Sequence, residues 1–529
     1  MSSSRDGGGP RLSRRRLLQA AGVAGAGAAL PLAAGCGIGD DDGGEREPEN
    51  VVLIIIDSLR PDFVGAYGAP RVQTPNLDSL FAKGLRFNRA FPEALVTVPA
   101  RRSIFTGQRI FPYRDFKPVA DLGISPGWEP IANLDRTLTR VLKDAGYRTI
   151  QVTDNPHTGF TQSYKPFRLS WDTFLSIEGR TGTRNPPETV SDAEVRRWLP
   201  KELQHNERYV EGMKKNLANT GYGRDETESD AARVFAEAGN QLADVARSGD
   251  KFALVIDCFD PHEPWSPPKE YIDLYGDPAY DGPEVGVLDY GPAGYMSKDE
   301  LRRAHADYAA AVTMTDRWIG SFLDRFDELG LADNTAIVLL SDHGVLLGER
   351  GWVGKIPGEL HPELAQVPFA IVHPGGKRAG ESSEYFASTH DVAPTILSLL
   401  GIEQPRWMNG ADLTPLLDTP SGGTGDAQPE ARPFHYGGMY NRYFVRTDQW
   451  VLLGDTLGGN RQLFDLTLDP GEWRDVAEAS RANKRVAEDL YLQVIEATGG
   501  GPLPYYDDEK LQAQLTAARE RAGFVDPTP

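Results

Sequence analysis

The sequence predicts an α/β fold, in which a doubly wound and mostly parallel sheet is flanked by helices and followed by a smaller C-terminal α+β unit with an antiparallel sheet. Continuous β-branched and apolar runs, such as residues 51–56 (VVLIII), alternate with amphipathic helical stretches, which is typical of strands buried on both faces of a parallel sheet. Beyond residue 432 the apolar runs become short and aromatic, which favours antiparallel strands. At 529 residues the chain is long enough for two domains.

The elements follow one another along the chain in alternation. Helical spacing with a terminal glycine indicates helices over 74–84 and 134–146, and a long amphipathic pattern indicates one over 301–329. Residues 178–235 are polar and are interpreted as an insertion with helices. The predicted strands of the main sheet are 51–56, 147–152, 252–259, 335–340 and 369–372, and those of the C-terminal unit are 443–445, 450–453 and 462–464, before a last helix over 480–498.

The first 36 residues are typical of a targeting segment. A twin-arginine pattern at 13–18 (SRRRLL) precedes an Ala/Gly-rich apolar stretch from Leu17 to Leu32, which is shorter than the about 20 residues of a spanning helix. The stretch ends in LAAGC, which resembles a bacterial lipobox with Cys36 as the lipidated residue; plain signal-peptidase cleavage with an unmodified Cys36 is the alternative. Export to the periplasm or the cell surface is expected in both cases, with a lipid anchor at Cys36 as the only membrane attachment in the first.

The composition limits the classes of partner. The net charge is −20, which argues against nucleic acid as a partner because its phosphates attract basic surfaces. Two cysteines provide no disulfide framework. The expected organisation is a signal at 1–36, a flexible tether at 37–50, a main domain at 51–418, a linker loop at 419–432 and a C-terminal subdomain and tail at 433–529.

Polar side chains follow three of the predicted strands. The first strand ends in Asp57-Ser58, another in Asp260-Pro261-His262, and a third in Asp342-His343-Gly344. Ligands of open α/β sheets bind beyond the carboxyl ends of the strands. Carboxylates and imidazoles grouped there can bind a hard or borderline divalent metal.

Residues 97–107 (TVPARRSIFTG) resemble the signature of the sulfatase family, in which Cys or Ser, any residue, Pro, Ser or Ala, and Arg are followed by a hydrophobic residue and Thr-Gly. The resemblance extends along almost the whole mature chain and implies the fold of the alkaline-phosphatase superfamily. Its further segments are 54–57 (IIID), 74–78 (TPNLD), 145–149 (AGYRT), 261–264 (PHEP), 341–344 (SDHG), 354–355 (GK), 391–395 (DVAPT) and 463–470 (LFDLTLDP).

The resemblance implies a role for individual residues. Asp57, Asp342 and His343, together with Thr97 at the nucleophile position, are expected to bind one divalent cation. The remaining expected catalytic residues are Arg101, which would orient the nucleophile, Lys355, which would contact the anionic oxygens of the substrate, His262, which would protonate the leaving oxygen or hold the oxyanion, and His157, which falls where the family has a Lys-x-His pair.

Two departures from the family pattern shape the chemistry. Family sulfatases convert Cys or Ser to formylglycine, but the Cβ of Thr97 carries a methyl group and cannot become an aldehyde, so no formylglycine is expected. A metal-activated threonine alkoxide could still attack the ester. The family's paired aspartates are here Asp57-Ser58, as in its phosphonate monoester hydrolase branch. The loss of one carboxylate keeps Mn²⁺ and Zn²⁺ open beside Ca²⁺ and Mg²⁺. Asp260, His361 and His390 are the available candidates for a second metal, and their spacing matches no such pattern well.

The first hypothesis is therefore an exported, metal-dependent hydrolase of sulfate or phosphate-type esters. Phosphodiester or phosphonate monoester hydrolysis, rather than sulfate ester hydrolysis, is one alternative. Others are a non-catalytic protein that binds anions and an envelope transferase that passes the group from Thr97 to another acceptor. The expected partner is a small anionic ester, or the sulfated or phosphorylated group of a glycan or a lipid headgroup; the oligomeric state stays open.

Overall fold

The computed structural model describes residues 47–180, 182, 184–220, 226–418 and 432–521. The predicted signal with Cys36, residues 37–46 of the tether and residues 419–431 of the linker lie outside the described residues, and the predicted domain boundaries stay predictions. In the part of the chain that is described, no helix has both the length and the apolar character needed to cross a membrane.

The strands form one large and two small sheets. The large sheet has eight strands in the order β11-β2-β10-β7-β1-β5-β3-β4, a second sheet has the order β12-β13-β14-β15, and a third has the order β6-β9-β8. Within the described residues the strands are β1 (Asn50–Ile56), β2 (Leu85–Ala90), β3 (Arg148–Thr153), β4 (Thr173–Ser176), β5 (Phe252–Cys258), β6 (Gly291–Pro292), β7 (Thr335–Ser341), β8 (Leu346–Leu347), β9 (Trp352–Gly354), β10 (Phe369–Val372), β11 (Ser382–Ala387), β12 (His435–Met439), β13 (Arg442–Arg446), β14 (Trp450–Asp455) and β15 (Gln462–Asp465).

The α-helices cover both faces of the large sheet and pack on the second sheet. The described helices are α1 (Pro75–Ala82), α2 (Thr97–Thr106), α3 (Leu138–Asp144), α4 (Pro156–Phe160), α5 (Lys165–Leu169), α6 (Asp192–Arg196), α7 (Glu207–Asn219), α8 (Asp230–Ser248), α9 (Lys269–Ile272), α10 (Lys298–Glu328), α11 (Pro362–Ala365), α12 (Val392–Leu399), α13 (Pro415–Asp418), α14 (Arg481–Ala497) and α15 (Asp508–Arg521).

The centre of the large sheet confirms the predicted fold class. β1 pairs in parallel with both β5 and β7, and β5 pairs in parallel with β3. Alternate residues of β1 enter different cores: Val52, Ile54 and Ile56 face one, whereas Val51, Leu53 and Ile55 face the other. A strand buried on both faces has no polar side to display, which explains its unbroken apolar run.

Several elements differ from the sequence prediction. β2, β4 and β11 were not predicted, and the predicted strand at 369–372 is antiparallel to β7. α8, whose first residues fell within the predicted insertion at 178–235, packs on β5 and α10. The apolar face of α8 belongs to the main core, and the bounds of the insertion stay a prediction. The tail contains α15, a helix that the sequence analysis did not predict.

The C-terminal unit is an antiparallel sheet covered by α14. β12 to β15 pair in sequence order, and apolar residues of α14, among them Leu490 and Val494, share a core with Leu452 of β14. This unit also contacts the main domain, since Gly438 of β12 accepts a hydrogen bond of 3.0 Å from the backbone N–H of Leu95. Leu95 lies just before α2, so the C-terminal unit supports the segment that carries Thr97.

Glu93 gives the fold a testable dependence on pH. Its buried carboxyl accepts backbone N–H bonds of 2.9 Å from Ile110 and Phe111, and burial, which outweighs the charge of Arg109, raises its pKa from 4.5 to about 7. Because the folded state binds this proton more tightly than the unfolded chain, the stabilisation is complete below pH 4.5 and is lost as the pH rises through 7. As the pH rises from 5 to 8, the wild type loses this stabilisation and Glu93→Gln does not. We therefore expect the unfolding free energy of Glu93→Gln minus that of the wild type to rise by about 2–3 kcal/mol over this range. Urea denaturation of both proteins at the two pH values measures it, and a difference that does not change with pH contradicts the assignment.

Candidate active site

The carboxyl ends of three neighbouring parallel strands bring buried carboxylates together. Asp57 directly follows β1, Asp342 directly follows β7, and Asp257 is the penultimate residue of β5. All three side chains are completely buried. Parallel strands end at the same edge of the sheet, so the fold itself concentrates negative charge at this point.

Asp57, Asp342 and His343 form a group that could hold a metal ion. One ligand atom from each lies within 4.8 Å of the other two, and the described residues contain no other group of three or more such side chains. The Nδ1 of His343 is 2.8 Å from the carbonyl oxygen of Gly344, so this nitrogen carries the proton and donates it. The Nε2 lone pair is left to face the carboxylates, which is the arrangement that metal-binding histidines adopt.

The electrostatics of this group fit a cation. Burial, and next the charge of Asp342, raise the pKa of Asp57 well above its ordinary value. Burial also opposes ionisation of Asp342, but the neighbouring His343 and the charge of Arg101 hold its pKa below the ordinary range. The Asp57 Oδ2 makes no hydrogen bond among the described residues and has the Arg101 guanidinium, 3.1 Å away, as a cationic neighbour. A divalent cation would relieve the repulsion between the two carboxylates, and the oxygen-rich donor set suits a hard or borderline ion.

Thr97 begins α2 and faces the same group. Its side chain is buried, and its Oγ1 is 3.2 Å from the Nε2 of His343. The backbone carbonyl of Thr97 accepts a bond of 3.0 Å from the guanidinium of Arg101, one helical turn further on. The structure thus places the Thr97 hydroxyl beside the candidate metal ligands, while Arg101 fixes the Thr97 backbone carbonyl.

Arg101 lies beneath the site, where it binds carboxylates. Its guanidinium is 2.5 Å from Asp342, 2.6 Å from Asp257 and 3.1 Å from Asp57, and it is buried. Burial disfavours its charge, but the three carboxylates, Asp257 foremost, raise its pKa well above the ordinary value. The guanidinium is therefore fully engaged by these partners, and it orients Thr97 through the backbone carbonyl.

Lys355 and His262 form a second polar group with two residues that the sequence analysis did not single out. The Lys355 ammonium lies 3.1 Å from a carboxylate oxygen of Glu263 and 2.5 Å from the Tyr290 hydroxyl. It also donates to the Nε2 of His262 at 3.3 Å, whose Nδ1 donates to the Glu263 carbonyl at 2.6 Å. Burial and the Lys355 charge lower the pKa of His262 well below its ordinary value. His262 is thus neutral, and the transferable proton of this pair is on Lys355.

His157 occupies α4 and touches aromatic rings. Its imidazole packs edge-to-face on Trp128 with ring centres 4.8 Å apart. Burial, then the charges of Arg101 and Lys355, lower the pKa of His157 to about 4. At neutral pH it is an uncharged imidazole on the wall of the site.

One cavity of about 640 Å³ connects these side chains. Thr97, His157, His262 and Lys355 all line it, whereas Arg101 does not. The wall is otherwise mostly apolar or aromatic, with one acidic residue, Asp508. The lining residues include Leu95, Val96, Ile124, Pro126, Trp128, Tyr290, Pro357, Met439, Tyr440, Asp508 and Gln512.

The three candidates for a second metal have separate partners. Asp260 forms an ion pair with Arg180, His361 binds Glu472 at 2.8 Å, and the Nε2 of His390 is 3.3 Å from Arg109. None of them belongs to the group of Asp57, Asp342 and His343.

Asp257 is the functional residue most clearly missed from the sequence. It is the only charged residue of the strand FALVIDC, and a buried carboxylate in such a strand requires a cationic partner. That signal was available, but the partner, Arg101, is 156 positions away. Glu263 follows His262 directly and gave no comparable signal.

Metal binding can be tested at Asp342. We expect one divalent ion per wild-type chain, and we expect Asp342→Asn to lower the affinity by about 100-fold or more because a charged ligand is lost. Elemental analysis after dialysis and titration calorimetry measure both quantities. His361→Gln is the matched control and should keep the ion; two ions per wild-type chain would show that a second centre exists, and loss of the single ion in His361→Gln would place it away from Asp342.

Comparisons with known proteins were consistent along the chain. The family model described as Sulfatase matches residues 49–402, and one described as N-sulphoglucosamine sulphohydrolase, C-terminal, matches residues 348–498. An arylsulfatase from Clostridium perfringens is 26% identical over 488 residues, which cover 87% of this chain and 97% of that protein.

Solved structures share the fold. The phosphonate monoester hydrolase of Agrobacterium radiobacter has a TM-score of 0.63 and 21% identity, covering 85% of this chain and 96% of its own. Another structure, solved in complex with its substrate D-glucosamine-2-N,6-O-disulfate, has a TM-score of 0.61 and 19% identity, covering 89% of this chain and 98% of its own. At these identities the likeness is one of fold.

Proposed function

The chain belongs to the sulfatase family, and on that premise we propose that it is a metal-dependent hydrolase of monoanionic sulfate- or phosphate-type esters, with Thr97 as the nucleophile. One observation carries the proposal: the Thr97 hydroxyl lies 3.2 Å from His343, beside two buried carboxylates and on the wall of a cavity. The twin-arginine pattern at 13–18 supports export as part of the same proposal.

The chain's own residues provide for the first chemical step. Thr97 Oγ1 forms a bond to sulfur or phosphorus, and the bond from that atom to the alcohol oxygen breaks. The proton of the Thr97 hydroxyl passes to solvent as Oγ1 attacks, and Lys355 Nζ, which binds His262, gives a proton to the leaving oxygen, so the step is balanced and leaves Lys355 neutral. A divalent cation held by Asp57, Asp342 and His343 would supply Lewis-acid stabilisation of the reacting oxygens. Water then cleaves the threonine ester: its oxygen bonds to the central atom, the bond from that atom to Thr97 Oγ1 breaks, one water proton goes to Oγ1 and the other restores Lys355.

The charges around the cavity favour a transferred group with a single negative charge. Arg101 is engaged by three carboxylates, and Lys355 is paired with Glu263. His157 and His262 are neutral at pH 7, since burial lowers the pKa of each. Sulfate monoesters, phosphodiesters and phosphonate monoesters each carry one charge, whereas phosphate monoesters carry two. The latter are therefore the poorest match.

The methyl group of Thr97 favours phosphorus over sulfur. Without an aldehyde route, the covalent ester must be cleaved by water at the central atom, and a phosphothreonine can be hydrolysed there whereas water attack on a sulfothreonine is less precedented. Phosphodiesters and phosphonate monoesters are thus the proposed substrates. Sulfate esters are the second candidate, because the family model that matches the chain is the sulfatase model.

A matched substrate panel tests the proposal. Purified residues 37–529, reconstituted with metal, are assayed on p-nitrophenyl sulfate, bis-p-nitrophenyl phosphate, p-nitrophenyl phosphate and p-nitrophenyl phenylphosphonate. We expect turnover of the diester and the phosphonate, with p-nitrophenyl phosphate poorest among the phosphorus esters. Thr97-dependent release from the sulfate alone would replace the phosphorus assignment with sulfuryl transfer that proceeds without formylglycine.

Two further outcomes separate the non-hydrolytic alternatives. Binding of an ester without turnover, retained in Thr97→Ala, would indicate an anion-binding protein. Release of p-nitrophenol only when an alcohol acceptor is added would indicate a transferase. Either outcome overturns hydrolysis as the function.

A further inference from the structure

A second cavity of about 640 Å³ lies on the far side of the segments that wall the catalytic one. α2 contributes to both, since Thr97 lines the catalytic cavity and Arg102 the second. Trp128 and Glu129, adjacent in sequence, are likewise divided between the two cavities. At a rise of about 1.5 Å per residue, five helical residues separate Thr97 and Arg102 by roughly 8 Å along α2.

The second cavity is basic. Four arginines and His390 line it, against one acidic residue, Glu129. The charge of Arg102 is balanced by Glu129 at 2.7 Å, and that of Arg432 by Asp391 at 2.5 Å. The net positive charge of the cavity therefore depends on the other two arginines, Arg109 and Arg114.

Arg109 and Arg114 donate to neutral acceptors. Arg109 binds the Tyr436 carbonyl at 2.6 Å and lies over its ring, and Arg114 binds the Thr498 carbonyl at 3.0 Å. Among the described residues, neither guanidinium has a carboxylate oxygen within 4.0 Å. Glu93 acts on Arg109 from a greater distance, but burial raises its pKa to about 7, so it is only partly ionised at neutral pH. Two positive charges are thus left for a ligand.

His390 supplies a second observation. Its Nε2 lies 3.3 Å from the Arg109 guanidinium, which can only donate, so the ring proton is on Nδ1. That buried N–H has no hydrogen-bond partner among the described residues, and an unpaired buried donor destabilises a folded chain. His390 thus carries an unsatisfied donor on a residue that lines the cavity.

We propose that this cavity binds a tetrahedral oxyanion, sulfate or phosphate, through Arg109 and Arg114. Guanidinium groups match the oxygens of such ions in geometry and charge. The chain as a whole carries a net charge of −20, so a locally positive cavity is needed for any second anion to bind. The anion is either a free ion or a group carried by an organic ester. Anion binding in this cavity does not depend on the proposed function, because it requires no hydrolysis at Thr97.

The test compares two charge-matched double variants of metal-loaded residues 37–529. Arg109→Gln with Arg114→Gln removes the two unpaired cations, whereas Arg136→Gln with Arg406→Gln removes two exposed arginines elsewhere. Titration calorimetry in 150 mM NaCl uses inorganic sulfate, inorganic phosphate and glucose 6-sulfate as probes. Inhibition of ester hydrolysis by sulfate reports separately on the catalytic cavity, and Thr97→Ala shows whether binding survives without turnover.

We expect the first double variant to weaken anion binding at least tenfold while its inhibition constant for sulfate is unchanged, and the control pair to bind as the wild type does. Tighter binding of glucose 6-sulfate would assign the site to an ester-borne group, and tighter binding of inorganic sulfate or phosphate to a free ion. Arg114→Gln alone, at an exposed position, should weaken binding in a fully folded chain. Equal loss in both double variants, unchanged binding in the first, or a single binding site that substrate displaces would each overturn the proposal.

Discussion

Thr97→Ala is expected to lower kcat/KM for the best ester of the panel by about 10⁴-fold or more, because it removes the atom that attacks the ester. The side chain is buried at the start of α2, so the loss of one hydroxyl and one methyl group should leave the fold intact. Steady-state and single-turnover rates measure the effect, with metal content determined in parallel because Thr97 also faces the candidate metal ligands.

Thr97→Ser is the matched control. It keeps the hydroxyl and removes only the methyl group, so turnover should stay within about 30-fold of the wild type. A covalent adduct on residue 97, trapped by acid quench and found by mass spectrometry in the wild type and in Thr97→Ser but not in Thr97→Ala, would identify the nucleophile directly. If Thr97→Ala with its metal retained turns over like the wild type, another group attacks and the mechanism is wrong.

Arg101→Met is expected to destabilise the metal-free protein by about 3–5 kcal/mol, because it leaves three buried carboxylates without their cation. These are Asp57, Asp257 and Asp342, each within 3.1 Å of the guanidinium. Arg101→Lys should cost less, since it keeps the charge but lacks the planar fork that reaches all three. Chemical denaturation in the presence of a chelator measures both.

A double variant isolates the electrostatic cause. Asp257→Asn removes one of the uncompensated charges, so it should restore part of the stability lost in Arg101→Met while destabilising the wild-type background. Added divalent metal should stabilise Arg101→Met more than the wild type, since a cation at Asp57 and Asp342 replaces part of the missing charge. Equal stability of Arg101→Met and the wild type without metal would contradict this account.

The central strands were predictable because their sequence pattern is local. β1 and β7 are apolar runs followed by Asp57 and Asp342, and β5 is an apolar run interrupted only by Asp257 near its end; parallel pairing brings these ends together. β2 was missed because LRFNRA is short and carries two arginines and an asparagine among only three apolar residues, although Gly84 and Pro92 flank it. Its place is set by β10 and β11, which pair with it from distant parts of the chain.

The same distinction between local patterns and distant contacts separates the residues of the candidate site. Thr97, His262 and Lys355 were found because short motifs surround them, and the structure places all three on one cavity. Tyr290 lies in a loop without a motif, and it reaches Lys355 only because the chain folds back over 65 positions. The role of Arg101 as the counter-ion of three carboxylates likewise depends on spatial neighbours that no local pattern specifies.

The last helix has a consequence for how the protein matures. Asp508 and Gln512 of α15 form part of the wall of the catalytic cavity, while Thr97 lies more than 400 positions earlier in the chain. During synthesis, Thr97 therefore leaves the ribosome long before the final wall of this cavity does. Such non-local closure is slow, so a nascent or C-terminally clipped chain carries the reactive groups in an open cleft that has not yet acquired its full selectivity for substrate shape.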